Sequence, residues 1–136
     1  MPATIAELRT GLADALSAIA GFRVYQDIPD TPSTPCAVLE LRRVSYDTVM
    51  ARGADEYQFT VTMLSGRADD RTAQARVEAA VAGSGPQSIK AALEADPTLG
   101  GAAMTTRVME AGGLQSFDRN DGLQLLGVEF QVSIYA

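Results

Sequence analysis

Few residues in this chain could do chemistry, and the types that are missing narrow the field further. There is no histidine. Ser-His-Asp and Cys-His nucleophilic groupings, imidazole metal ligands and the usual neutral-pH general base are therefore excluded. The single cysteine, Cys36, cannot make an internal disulfide or a structural zinc site. It lies in Cys36-Ala37-Val38-Leu39, a run that reads as a buried strand in which cysteine behaves as a small hydrophobe. Among the carboxylate pairs, Asp69-Asp70 precede a helical pattern, where acidic side chains accept hydrogen bonds from free N–H groups and favour the macrodipole. Asp27 and Asp30 flank turns, where Asp bonds its own backbone.

Two glycine-containing segments were natural places for an ion or a phosphate. In Asp118-Arg119-Asn120-Asp121-Gly122, Asp118, Asn120 and Glu129 fall at positions 1, 3 and 12 of a calcium-loop template. The template's glycine position is occupied by Leu123, and Glu129 falls in a strand pattern, so Asn-Asp-Gly reads as a hairpin turn. Gly83-Ser84-Gly85 lacks the third glycine of a dinucleotide fingerprint and the Gly-Lys-Ser/Thr of a P-loop, and it follows a helix instead of a strand. Arg107, on the polar side of a strand pattern, suits solvent or a cross-strand partner. The reading is of a protein that is not an enzyme, with no catalytic residues, no metal and no cofactor.

The elements that would position these residues are well marked. Ile5, Leu8, Leu12, Leu16 and Ile19 recur at helical spacing behind a Thr4–Glu7 capping box, and Gly21 supplies a left-handed stop. Phe22 to Gln26 form a short strand pattern. Asp27 to Pro35 hold three prolines, which remove backbone donors and make an extended connector. Cys36 to Arg43 read as a strand. Tyr57, Phe59, Val61 and Met63 alternate with polar residues as the next, ended by Gly66. A second helix runs from Asp69 or Asp70 to about Ala82, with Ala73, Val77, Ala80 and Val81 as its apolar face. A short third helix carries Ile89, Ala92 and Leu93. Two strands follow, Met104 to Met109 and Leu126 to Tyr135, the latter with one wholly apolar face.

This α-β-β-β-α-α-β-β order, with strands in runs, points to an α+β fold. We expect a mixed, mainly antiparallel sheet of four or five strands with helices packed on one face. The 136 residues suit one domain over 1–136, burying roughly two thirds of its surface on folding. A net charge of −6 argues against nucleic-acid binding, which depends on cations meeting phosphates. Arg42-Arg43 is the only dense basic spot. No stretch approaches the roughly 20 apolar residues of a membrane span, and the start lacks a signal-peptide pattern. We expect a soluble chain made in a cytoplasm.

The combination resembles the tail terminator proteins of long-tailed bacteriophages, the tail-to-head joining family. The features are the opening helix Ile5-Ala6-Glu7-Leu8-Arg9 through Leu16, the Val24-Tyr25 strand, the Pro-rich connector, a strand pair split by a long loop, and an Ala-rich helix. Gly127-Val128-Glu129-Phe130-Gln131-Val132-Ser133 closes the pattern, and Leu125 to Ser133 carries most of the local likeness. The resemblance implies a virion protein at the head–tail junction that forms a homohexameric ring. Such a ring caps the tail tube, stops its polymerisation and meets the head-completion (stopper) proteins. DNA passes through its lumen without specific binding. Ring closure needs two different patches that meet. The loop Val44 to Glu56, with Tyr46, Met50 and Arg52, and the loop Gly112 to Asp121, with Leu114 and Phe117, are the expected contacts, because such side chains favour interfaces. Alternatively, both loops fold onto their own domain. Two other functions stay open: another neck component (stopper or adaptor), and a ligand-binding α+β regulatory module.

Overall fold

The computed structural model describes residues 4–19, 23–26, 36–46, 55–67, 71–101, 103–118 and 124–136. Its elements are α1 (Ile5–Leu16), β1 (Arg23–Tyr25), β2 (Cys36–Ser45), β3 (Glu56–Arg67), α2 (Arg71–Val81), α3 (Ile89–Glu94), a 3-10 turn (Leu99–Gly101), β4 (Thr105–Asp118) and β5 (Gln124–Tyr135). The strands form one sheet in the order β1-β2-β3-β5-β4. Only β1 and β2 run parallel; the other neighbours are antiparallel. This is the expected α+β fold with a mixed, mainly antiparallel sheet.

The core forms where period-2 strands meet period-3.6 helices. On one face of the sheet, Tyr57, Phe59, Val61 and Met63 of β3 stand opposite Ile134, Val132, Phe130 and Val128 of β5. Leu8, Leu12, Leu16, Val77, Ala80, Ile89 and Leu93 from the three helices complete that cluster. Thr4 caps α1, its hydroxyl accepting from the Glu7 N–H at 3.1 Å and donating to the Glu7 carboxylate at 3.2 Å. Helix α1 ends at Leu16, short of Gly21, which lies outside the described residues. Ser17 closes it by donating to the Asp14 carbonyl at 2.7 Å. Ile19 is buried beyond the helix, whereas Ile5 and Val81, both expected on apolar faces, are exposed.

Three boundaries differ from the expectations, each for a packing reason. Strand β2 runs on to Ser45, because Arg43, Val44 and Ser45 still pair with β3 past an irregularity at Arg42. Gly66 does not end β3. It sits inside it at a bulge, where an added Cβ would lie 3.2 Å from the Ala73 Cβ of α2. The beginning of α2 is held there by Ser65, which is buried and donates to the Ala73 carbonyl at 2.6 Å. The third difference is β4, which continues to Asp118 where a loop was expected from Gly112. Two register shifts, at Met109 and between Gly112 and Gln115, break the alternation by which a strand is read from sequence.

Helix α1 approaches the 3-10 turn closely. A Cβ on Gly11 would meet the Leu99 Cβ at 2.7 Å and its carbonyl oxygen at 3.0 Å. Glycine inside a helix costs roughly 1 kcal/mol against alanine; here that cost is offset by contact. Leu99 is buried with φ of 51°. Asp96 holds the turn, accepting from the Thr98 hydroxyl at 2.7 Å and the Gly100 N–H at 2.9 Å. Gly83 has open space around it. Gly11→Ala should therefore destabilise the protein by about 1–3 kcal/mol in urea titrations, despite alanine's better helix propensity. Gly83→Ala should stay within about 0.5 kcal/mol of the parent.

Candidate assembly surfaces

The sheet face opposite the helices is built from the alternate residues of the same strands. Register places Glu40, Thr60, Gln131 and Glu110 in one row across β2, β3, β5 and β4, and Arg43, Gln58, Ser133 and Arg107 in the next. Hydrogen bonds join neighbouring strands across this face. The Thr60 hydroxyl donates to the Gln131 amide oxygen at 3.2 Å, and the Ser133 hydroxyl donates to the Glu56 carboxylate at 2.5 Å. One end of this face carries a small second cluster, Cys36, Leu64 and Leu125 with Tyr25 against it.

Towards the β4 side the polar face sinks into a hollow of about 300 Å³, lined by Glu56, Gln58, Met109, Glu110, Gln131, Val132 and Ser133. Met109 is the extra residue of the β4 bulge, between Val108 opposite Val132 and Glu110 opposite Gln131. It stands 56% exposed at the rim, and Met104, just before β4, is 61% exposed. Among the described residues β4 is the sheet's last strand, and no described strand pairs with its outer edge. At one point that edge is closed by a side chain. The Glu94 carboxylate of α3 accepts from the Val108 N–H at 3.0 Å and from the Lys90 ammonium at 2.6 and 2.7 Å.

Of the residues expected at an interface, Tyr46, Leu114 and Phe117 fall among the described residues. Tyr46, at the end of β2, is 75% exposed and suits a contact. Met50 and Arg52 lie outside the described residues. Leu114 and Phe117 belong to β4 and not to a loop: Phe117 pairs with Leu125 of β5, while Leu114 falls at a register irregularity. Their expected place on a loop is thereby corrected to a strand, where register shifts hide the alternation. Sequence reasoning missed the hollow and its rim. The available signal was Met109, an apolar residue on the side of a strand shared with Thr105 and Arg107.

The chemistry of the described residues is sparse. No group of three or more metal-ligating side chains occurs among them. Cys36 is buried, and burial pushes its thiol up to about 11, so the nucleophilic thiolate is scarce at neutral pH.

Over residues 6–135 the chain matches the family model described as tail completion protein gp17. It belongs to that family. None of the curated proteins searched matches it. Membership makes the chain a bacteriophage structural protein with a role in tail assembly, placed in the virion tail and in contact with other tail or head proteins. Among the described residues no helix is long and apolar enough to cross a membrane.

Two measurements test this local chemistry. The Lys90 hydrogen bonds first, and the Val108 N–H second, hold the Glu94 carboxyl below the usual glutamate range. A depressed folded-state value adds stability that is present in full above about pH 4.3 and is lost as pH falls through the lower folded value. Glu94→Gln should cost about 1 kcal/mol at pH 7. Its difference from the parent should shrink by pH 3 in chemical denaturation. Cys36 should resist iodoacetamide at pH 8 in the folded protein and alkylate fully in guanidinium, as followed by mass spectrometry.

Proposed function

We propose that this tail completion protein closes into a hexameric ring that caps the tail tube, ends its polymerisation and joins the tail to the head-completion (stopper) protein. The ring assembles in the host cytoplasm and takes its place at the head–tail junction. The observation that carries the reading is a polar sheet face that no described helix crosses, with the 14-residue β4 at the edge of the described sheet, in a chain with no histidine and one buried cysteine. Such a chain is equipped to dock and poorly equipped to catalyse. Its net charge of −6 supports a lumen through which DNA slides without adhering, since adhesion requires cations to neutralise phosphates. A lumen lined mainly by Lys and Arg would contradict that part. Tyr46, Met50, Arg52, Leu114 and Phe117 remain proposed contacts, the last two now as residues of an edge strand.

Depletion of the chain during infection tests the reading directly. Electron micrographs of depleted lysates should show tails of uncontrolled length beside filled, tailless capsids. Purified protein incubated with tail tubes should appear as annuli at one tube end. Normal-length tails joined to filled heads in the absence of the chain would end the proposal.

A further inference from the structure

We infer that the hollow beside β4 is a socket for an arginine of a second copy of this chain, supplied from the Arg42-Arg43 corner of β2. This deepens the ring reading and rests on it, since it names the two patches that meet.

The socket is chemically one-sided. Among its described lining residues are two carboxylates, Glu56 and Glu110, three neutral polar side chains, Gln58, Gln131 and Ser133, and no cation. Ser133 occupies one oxygen of Glu56, leaving the other to accept. Met109 stands at the rim with its flexible thioether exposed, a side chain that moulds to what it meets. At about 300 Å³ the hollow is far larger than the roughly 30 Å³ share of a water. It lies at the bottom of the range for drug-sized ligands. A guanidinium suits it: the group is planar, with five donors that carboxylates and amide oxygens accept.

The matching plug is on β2, beside the hollow, where Arg43 faces the lining residue Gln58. Arg42 and Arg43 are both exposed at the β2 irregularity, and neither forms an ion pair within the described residues. The cross-strand partner of Arg43 is thus a neutral amide. Tyr46 follows on the same strand end, exposed, and Arg and Tyr are the residues that most often dominate interfaces. Arg107, opposite Ser133 in register, places its charge where Glu94 feels it at the edge. Plug and socket are different residues of one subunit; repeated head to tail, their contact is heterologous and makes a ring where the rotation closes. Strand addition on β4 fits less well as the contact, because Glu94 already takes the Val108 N–H that an added strand would need.

Charge exchange tests the pairing. The variants are Glu110→Arg, a socket reversal, and the double change Arg42→Glu with Arg43→Glu, a plug reversal. Self-association is measured by sedimentation over a concentration series, and annuli are counted by electron microscopy. Each reversal alone should weaken association by at least about thirtyfold, the loss typical of a dominant interface residue. Mixing the two should restore annuli, because wild-type plugs meet wild-type sockets and reversed plugs meet reversed sockets in alternation. Restoration on mixing also shows that both variants fold. If the parent forms annuli and each reversal does so equally well, the socket is wrong and the ring stands. If the mixture does not recover annuli, the pairing of these two patches is overturned. A parent that stays monomeric at every concentration and on tail tubes removes the ring and this interface together.

Discussion

Everything in this molecule depends on the apolar cross-strand pairs between β3 and β5. Tyr57 against Ile134, Phe59 against Val132, Val61 against Phe130 and Met63 against Val128 make an unbroken apolar surface down the middle of the sheet. Water will not tolerate a surface of that size, and three helices lie across it with Leu8, Leu12, Leu16, Val77, Ile89 and Leu93. The small residues of α2, Ala73, Val77 and Ala80, let that helix approach closely. Glycine does the same at Gly11 and Gly66, where neighbouring chain lies within about a van der Waals contact of the missing side chain.

The same pleat that gathers apolar residues on one side puts Glu40, Arg43, Gln58, Thr60, Thr62, Glu129, Gln131 and Ser133 on the other. No described helix crosses this second face. Its polar groups partly satisfy one another, through Thr60 with Gln131 and Ser133 with Glu56, so the face is stable in water and still able to accept a partner. The apolar side of the sheet thus carries the packing, and the polar side is the candidate for docking.

Edges are the third constraint. A long terminal strand such as β4 offers unpaired N–H and C=O groups to any passing strand. Two devices restrain it here: Glu94 occupies the Val108 N–H, and bulges twist the strand at Met109 and again beyond Gly112. The first bulge also leaves Met109 at the rim of the polar hollow, so the irregularity that guards the edge helps to build the candidate contact.

The order of helices and strands, the capping of α1 by Thr4 and the apolar faces of β3 and β5 were all legible in the sequence. Each rests on residues close along the chain and on a fixed period. The absence of histidine was legible too, since it needs no fold to be noticed. Strand order, the length of β4 and the hollow were not. They depend on pairing between residues far apart in sequence, Gln58 with Ser133 and Gln131 with Glu110, and on bulges that erase the alternation a reader follows. Leu114 and Phe117 were misread as loop residues for that reason. The side chains set which surfaces had to be buried; only the register of distant strands decided which polar groups would share a face and where that face would open.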